Sequence, residues 1–202
     1  MLRGASLAPL VKATQLTTLE LDASDLIDEK ALLKVKTLRA LQVINLLPSS
    51  ARFDDVLKVL LALATRGVVI TGVDAVAHWL VEQTRFADAL KLYDGLVQGG
   101  PWVSPSTYSG ALFTVQQSNN RLPLDRRRAE RYLAAGLPLG SREPSIFYNA
   151  ACVCVELGDI DQALNCLRLA RTHGYPKVKA MKADTTFASL REDPRFVAIF
   201  RR

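Results

Sequence analysis

No apolar run in this 202-residue chain approaches the ~20 residues that a membrane-spanning helix needs. Even Val56 to Ala64 is interrupted by Lys58. The N-terminal MLRGASLAPLVKATQ lacks a long apolar core and a small-residue cleavage site, so no signal peptide is expected. Cysteine is limited to Cys152, Cys154 and Cys166, an odd number with two of them two residues apart. That is a poor disulfide framework and points to a reducing compartment, with the cytoplasm as the expected location. There is no GxxxxGK[ST] loop, no HExxH and no paired-carboxylate motif. Nothing therefore supports nucleotide hydrolysis or metalloprotease chemistry, and neither catalytic residues nor a cofactor are expected.

Hydrophobic residues at 49% and charged residues at 23% place the chain among folded proteins rather than disordered ones. The formal charge of +6 tilts it toward acidic partners, against the alternative of a solvated, mildly basic surface.

From Ser145 to Tyr175 the spacing is helical. Phe147, Ala150, Ala151 and Cys154 share one helix face, and Gly158-Asp159 breaks the pattern. Ile160, Ala163, Leu164, Leu167 and Ala170 form the stripe of a second helix, closed by His173-Gly174. Small residues at Ala151 and Ala163 permit close approach of the two axes. This antiparallel hairpin resembles the tetratricopeptide repeat, with Phe147, Ala150, Ala151, Cys154, Ile160, Ala163, Leu167, Ala170 and Tyr175 in its patterned places. Val76, Ala77 and Leu80, then Phe86, Ala89, Leu90, Tyr93 and Leu96, make a second unit of the same kind. A third, with Thr107, Gly110, Ala111 and Thr114 before Ala129 and Leu133, carries six extra residues in the turn Ser118 to Asp125.

The first segment has another period. Leu16, Leu19, Leu21 and Leu26 are matched 22 residues later by Leu38, Leu41, Val43 and Leu46. This resembles the leucine-rich repeat, which implies a short parallel sheet with Leu19 and Leu21 inward. A degenerate third copy is expected at Gly67 to Thr71, after a helix from Phe53 to Thr65. The outward set is then Thr18, Glu20 and Asp22, next Ala40, Gln42 and Ile44, next Gly67, Val69 and Thr71. Ordinary α/β strands are the alternative. Leu2, Leu7 and Leu10 offer no evident cap, so either something covers the N-terminal edge or the chain is a segment of a longer product.

The expected fold is mostly α: a helical-hairpin solenoid over 73–202 preceded by a small α/β leucine-rich segment over 1–72. The hairpins are expected at about 73–104, 105–141 and 145–176. The tail 177–202 resembles the segment that closes groups of such repeats in bacterial proteins. Phe187, Leu190, Phe196, Val197 and Phe200 can cover the last hairpin, and Pro194 can open a final helix.

The tetratricopeptide resemblance implies partner binding in a concave groove lined by the first helix of each hairpin. Its positions here are Asp74, His78, Val81 and Glu82, then Tyr108, Leu112 and Val115, then Tyr148, Cys152, Val155 and Glu156. Tyr108 and Tyr148 are equivalent, which implies an aromatic strip for a helix or extended peptide. Their truncation to Ala is expected to weaken binding with the fold intact, unless the C-terminal helix folds back and makes the strip core. The carboxylate-gripping Lys, Asn and Arg of some related groups are absent.

A zinc site from Cys152, Cys154, Cys166 and His173 is disfavoured, because residues two apart on a helix point about 200° apart. Arg126, Arg127, Arg128 and Arg131 form a candidate patch for an acidic partner, with solvated surface as the alternative. The expected function is a non-catalytic scaffold that binds another protein, with homo-oligomerisation through the N-terminal edge left open. The alternatives are an inhibitor-like, immunity-type or regulatory partner of an enzyme, and an acidic-surface or nucleic-acid binder using the arginines.

Overall fold

The computed structural model describes residues 11–12, 15–22, 29–44, 53–97, 103–119 and 121–201. It is mostly helical with one small sheet, and it divides into two compact units, Met1–Val103 and Ser104–Arg202.

The first unit begins with β1 (Thr18–Asp22), a 3-10 segment (Glu29–Lys34) and β2 (Ala40–Ile44), followed by α1 (Phe53–Thr65) and β3 (Val69–Thr71). The three strands form a parallel sheet in the order β1-β2-β3, with Thr18 opposite Ala40 and Ala40 opposite Val69. Alternation along each strand separates the faces. Leu41, Val43 and Ile70 are buried on the side covered by α1 and the 3-10 segment, and Leu19 and Leu21, on an edge strand, are half-buried. Thr18, Glu20, Ala40, Gln42, Val69 and Thr71 line the other face. The side chains of Asp22 and Ile44 lie outside what is described, as do Leu2, Leu7, Leu10, Leu26 and Leu46. Gly67 does not join the outward set: it sits in the turn before β3, at φ 77°.

The hairpin α2 (Asp74–Glu82) and α3 (Phe86–Leu96) packs inside this same unit, so the expected boundary after residue 72 falls within it. The reason is a close approach of α3 to α1. A Cβ built on Gly95 would lie 2.7 Å from the Ala64 Cβ. Phe53 meets Trp79 edge-on with centroids 5.0 Å apart. Arg85 joins the starts of α1 and α3 by pairing with Asp54 at 3.3 Å and Asp88 at 2.9 Å.

The second unit contains two hairpins. α4 (Pro105–Ser118) and α5 (Arg126–Gly136) form one, and α6 (Ser145–Leu157) and α7 (Ile160–Thr172) the other. The first helices of the two hairpins, α4 and α6, pack on each other. Thr114, an unusual core residue, is fully buried and donates to the Gly110 carbonyl at 2.8 Å, which satisfies its hydroxyl within the helix. Gly158 ends α6 at φ 79°, a left-handed conformation that glycine adopts without steric cost, and Asp159 caps α7 by accepting from the Gln162 N–H. The tail adds α8 (Val178–Ala183), a 3-10 segment (Thr185–Leu190) and α9 (Pro194–Phe200), with Pro194 at the first helical position. Phe187, Leu190 and Phe196 are buried and Phe200 is half-buried. Val197, expected to join them, is exposed.

Gly95→Ala is expected to lower stability on the order of 1 kcal/mol. Overpacking of about 1–3 kcal/mol outweighs the ~1 kcal/mol gain in helix propensity. Urea denaturation checks this; a raised midpoint would mean that α1 and α3 have room to separate.

Candidate functional site

Each residue expected in the helical groove has a definite place. In the first unit, Val81 is buried, Asp74 is half-buried, and His78 and Glu82 are exposed and 3.5 Å apart along α2. On α4, Tyr108, Leu112 and Val115 are all buried. On α6, Cys152 is buried, while Tyr148, Val155 and Glu156 are half-buried. An open aromatic strip is therefore not what these positions form.

The tail closes over Tyr148. Its ring stacks on Tyr175 with centroids 4.8 Å apart and meets Phe187 edge-on at 6.3 Å. Its hydroxyl donates to Asp184 Oδ2. Burial, with the Asp184 hydrogen bond, pushes the Tyr148 phenol well above its usual range, so it remains a donor. Burial works against ionisation of Asp184, but hydrogen bonds from Tyr148 and from the Thr186 backbone and side chain outweigh it and hold this carboxyl below its ordinary value.

Beside this closure a cleft of ≈ 350 Å³ remains, lined by Phe113, Gln116 and Gln117 of α4, Tyr148 and Glu156 of α6, and Asp184, Thr185 and Thr186 of the tail. Gln116 Nε2 donates to Thr186 Oγ1 at 3.3 Å, bridging helix and tail. Glu156 Oε2 is buried and has no hydrogen-bond partner among the described residues. Burial raises the Glu156 carboxyl to about 7, and a hydrogen bond with the Asn119 side chain opposes the shift only in part. Groove spacing places Glu156 on this face, but not its missing partner. Asp184 escaped the groove reading because it lies in the tail, and Gln116 and Gln117, although on α4, are not at the positions that reading selected. Asn149 was missed as well: this buried polar residue of α6 donates to the Ser109 carbonyl at 2.9 Å and to Ser109 Oγ at 3.0 Å on α4.

The cysteines are all buried and unbridged. Cys154 shares a hydrogen bond with Cys166 on α7 and, being also buried, stays protonated. Burial pushes the Cys152 thiol up, and the nearby charges of Asp184 and Glu156 act in the same direction. His173 lies against Phe147 with centroids 5.4 Å apart. No group of three or more His, Cys, Asp or Glu that could hold a metal ion occurs among the described residues.

The arginines are spread by helix geometry. Arg126 pairs with Glu130 at 3.4 Å and donates to the Leu157 carbonyl at 2.9 Å, supporting the C-terminal end of α6. Arg128 pairs with Asp125 at 3.3 Å, and the Arg131 guanidinium lies 5.6 Å from the Tyr132 ring centroid. Arg127 is exposed.

No described helix is long and apolar enough to cross a membrane. No protein-family model matches this chain, and no curated protein and no solved structure matches it.

Two outcomes follow from this geometry. Tyr148→Ala removes two ring contacts and the Asp184 hydrogen bond, so it is expected to cost about 3 kcal/mol in a denaturant titration. A fold as stable as the wild type would leave Tyr148 free for partner binding alone. Glu156 retains its proton in the folded state at pH values where the unfolded chain has released it. Its contribution to stability therefore falls as pH rises from about 4.5 to about 7. Glu156→Gln is expected to flatten that dependence and to be the more stable form at pH 8. Parallel wild-type and variant curves over this window would rule the shift out.

Proposed function

We propose that this chain is a non-catalytic protein-interaction module in which paired helical hairpins hold a segment of another protein. The observation that carries the reading is the packing of α4 on α6. First helices of successive hairpins lie side by side, and their shared face, with the tail, borders the polar cleft. This packing supports the tetratricopeptide resemblance, and on that reading the groove is bordered by Gln116, Gln117 and Glu156. The buried Tyr108 and Cys152 act as core, and Tyr148 as the wall of the site. The sheet of the first unit fits the leucine-rich resemblance, because parallel sheets are usually covered on both faces and this one has an accessible hollow of ≈ 380 Å³. Three reduced cysteines suit a cytoplasmic setting.

The reading is tested by affinity capture from native cytoplasm with the wild type and Gln117→Arg, which alters an exposed residue of the cleft without touching the core. A protein retained by the wild type and lost, or at least tenfold depleted, with the variant is expected. Identical capture by both baits would remove the cleft as the working surface.

Binding of an acidic surface or nucleic acid through Arg126, Arg127, Arg128 and Arg131 is the less favoured reading, because Arg126, Arg128 and Arg131 already have intramolecular roles. It requires affinity that falls steeply with salt, with a log–log slope of about −3 to −4 for four phosphate contacts.

A further inference from the structure

The polar cleft carries an unmet electrostatic demand. Glu156 Oε2 is out of water and has no partner among the described residues, an arrangement that costs free energy wherever the group is ionised. The other oxygen-bearing groups around it do not meet the demand. Asp184 is already engaged, its Oδ2 by Tyr148 and its Oδ1 by the Thr186 N–H at 2.8 Å. Gln116 spends a donor on Thr186. Asp184 also feels Arg191, but that guanidinium donates to the Ala183 carbonyl at 3.0 Å and does not line the cleft.

The lining selects by charge and by donor type. Two carboxylates repel an anion, and amides, hydroxyls and carboxylates give an apolar group little to replace its water. A divalent cation wants six or more oxygen ligands with several carboxylates, and no such gathering is present among the described residues. A cationic nitrogen satisfies what remains: it brings N–H donors, offsets the Glu156 charge, and fits a cleft of ≈ 350 Å³. The chain as a whole carries a formal charge of +6, so this acidic hollow is a local exception rather than a sample of its surface.

We propose that the cleft is a subsite for an ammonium or guanidinium group, carried on a lysine or arginine side chain of the bound partner, with Glu156 as its counter-ion. The proposal rests on the interaction-module reading and names the chemistry that its groove takes. Occupation supplies the missing donor to Oε2 and favours the ionised carboxylate. Since the free carboxyl sits near 7, affinity rises with pH through neutrality.

The test uses the full chain and small probes, and so does not depend on finding the partner. Backbone amide shifts are followed by NMR at pH 8 during titration with Nα-acetyl-lysine N-methylamide, with its Nε-acetylated neutral analogue, and with spermidine. The lysine derivative is expected to bind in the millimolar range, shifting amides at 113–119, 148, 156 and 184–186. Acetylation of Nε or the change Glu156→Gln should weaken it roughly tenfold, the scale of one charged hydrogen bond. Gln117→Lys, which brings an ammonium to the cleft from an exposed position, should compete with the probe to a similar extent and serves if Glu156→Gln fails to fold. Equal binding of the neutral analogue, equal binding by both variants, or shifts scattered over the surface would overturn the proposal. Saturable binding of spermidine alone would overturn the side-chain assignment in favour of a free polyamine. If the lysine derivative binds as expected but affinity capture yields no protein, the subsite stands and the interaction-module reading falls.

Discussion

Close approach of helices at residues with little side chain is the constraint on which both units depend. In the first unit Gly95 of α3 lies against Ala64 of α1, and that contact holds the α2–α3 hairpin to the sheet-bearing core. In the second, Ala111, Ala129, Ala150, Ala151 and Ala163 are fully buried along the hairpins, and a Cβ on Gly136 would stand 3.1 Å from the Tyr108 Cβ. Short interaxial distances leave no room for large side chains between the axes. The larger residues are displaced to the flanks, where they meet the neighbouring helix or the tail.

That displacement explains why the positions expected to line a groove are largely covered. With α4 and α6 drawn together, Tyr108, Leu112 and Val115 fall into the packed interior instead of facing outward. Tyr148, at the equivalent place on α6, is reached by the tail. Stacking on Tyr175, edge contact with Phe187 and the hydroxyl bond to Asp184 fix the chain leaving the last hairpin. The tail covers apolar surface near the C-terminal end and, between its polar residues and α4, leaves the cleft that contains the orphan carboxylate oxygen. Capping the hairpins and shaping the site are one structural event.

Much of this was legible in residue spacing. Phe53–Thr65 is helical over the expected span, the turn at Gly158-Asp159 separates α6 from α7, and Pro194 opens α9. The interval of 22 residues between the first two leucine patterns is the register offset of β1 on β2, Thr18 against Ala40. Such features are local: period, cap and turn chemistry act within a few residues. The grouping of α2–α3 with the sheet was not legible, because the contact of Gly95 with Ala64 joins positions 31 residues apart without any periodic sign. Burial of Tyr108 was not legible either, and for Tyr148 the spacing left cover by the C-terminal helix only as an alternative, whereas Tyr175, Asp184 and Phe187 supply that cover. A repeat pattern states which face a residue occupies, but not whether a segment from outside the repeat will cover that face.

The same distinction bears on Glu156. By spacing it is one more groove residue, equivalent in kind to the exposed Glu82 of α2, which has His78 beside it along its own helix. The packing of α4 and the tail around Glu156 makes the two different. Thr186 and Asp184 narrow the space next to α6, one carboxylate oxygen is withdrawn from water, and Asn119 engages the side chain without satisfying both oxygens. A surface acid has little need of a partner, since water supplies its hydrogen bonds at no structural cost. An acid half-withdrawn into a polar hollow is destabilised until a donor arrives, so its interaction with a cation is stronger than the same interaction at an open surface.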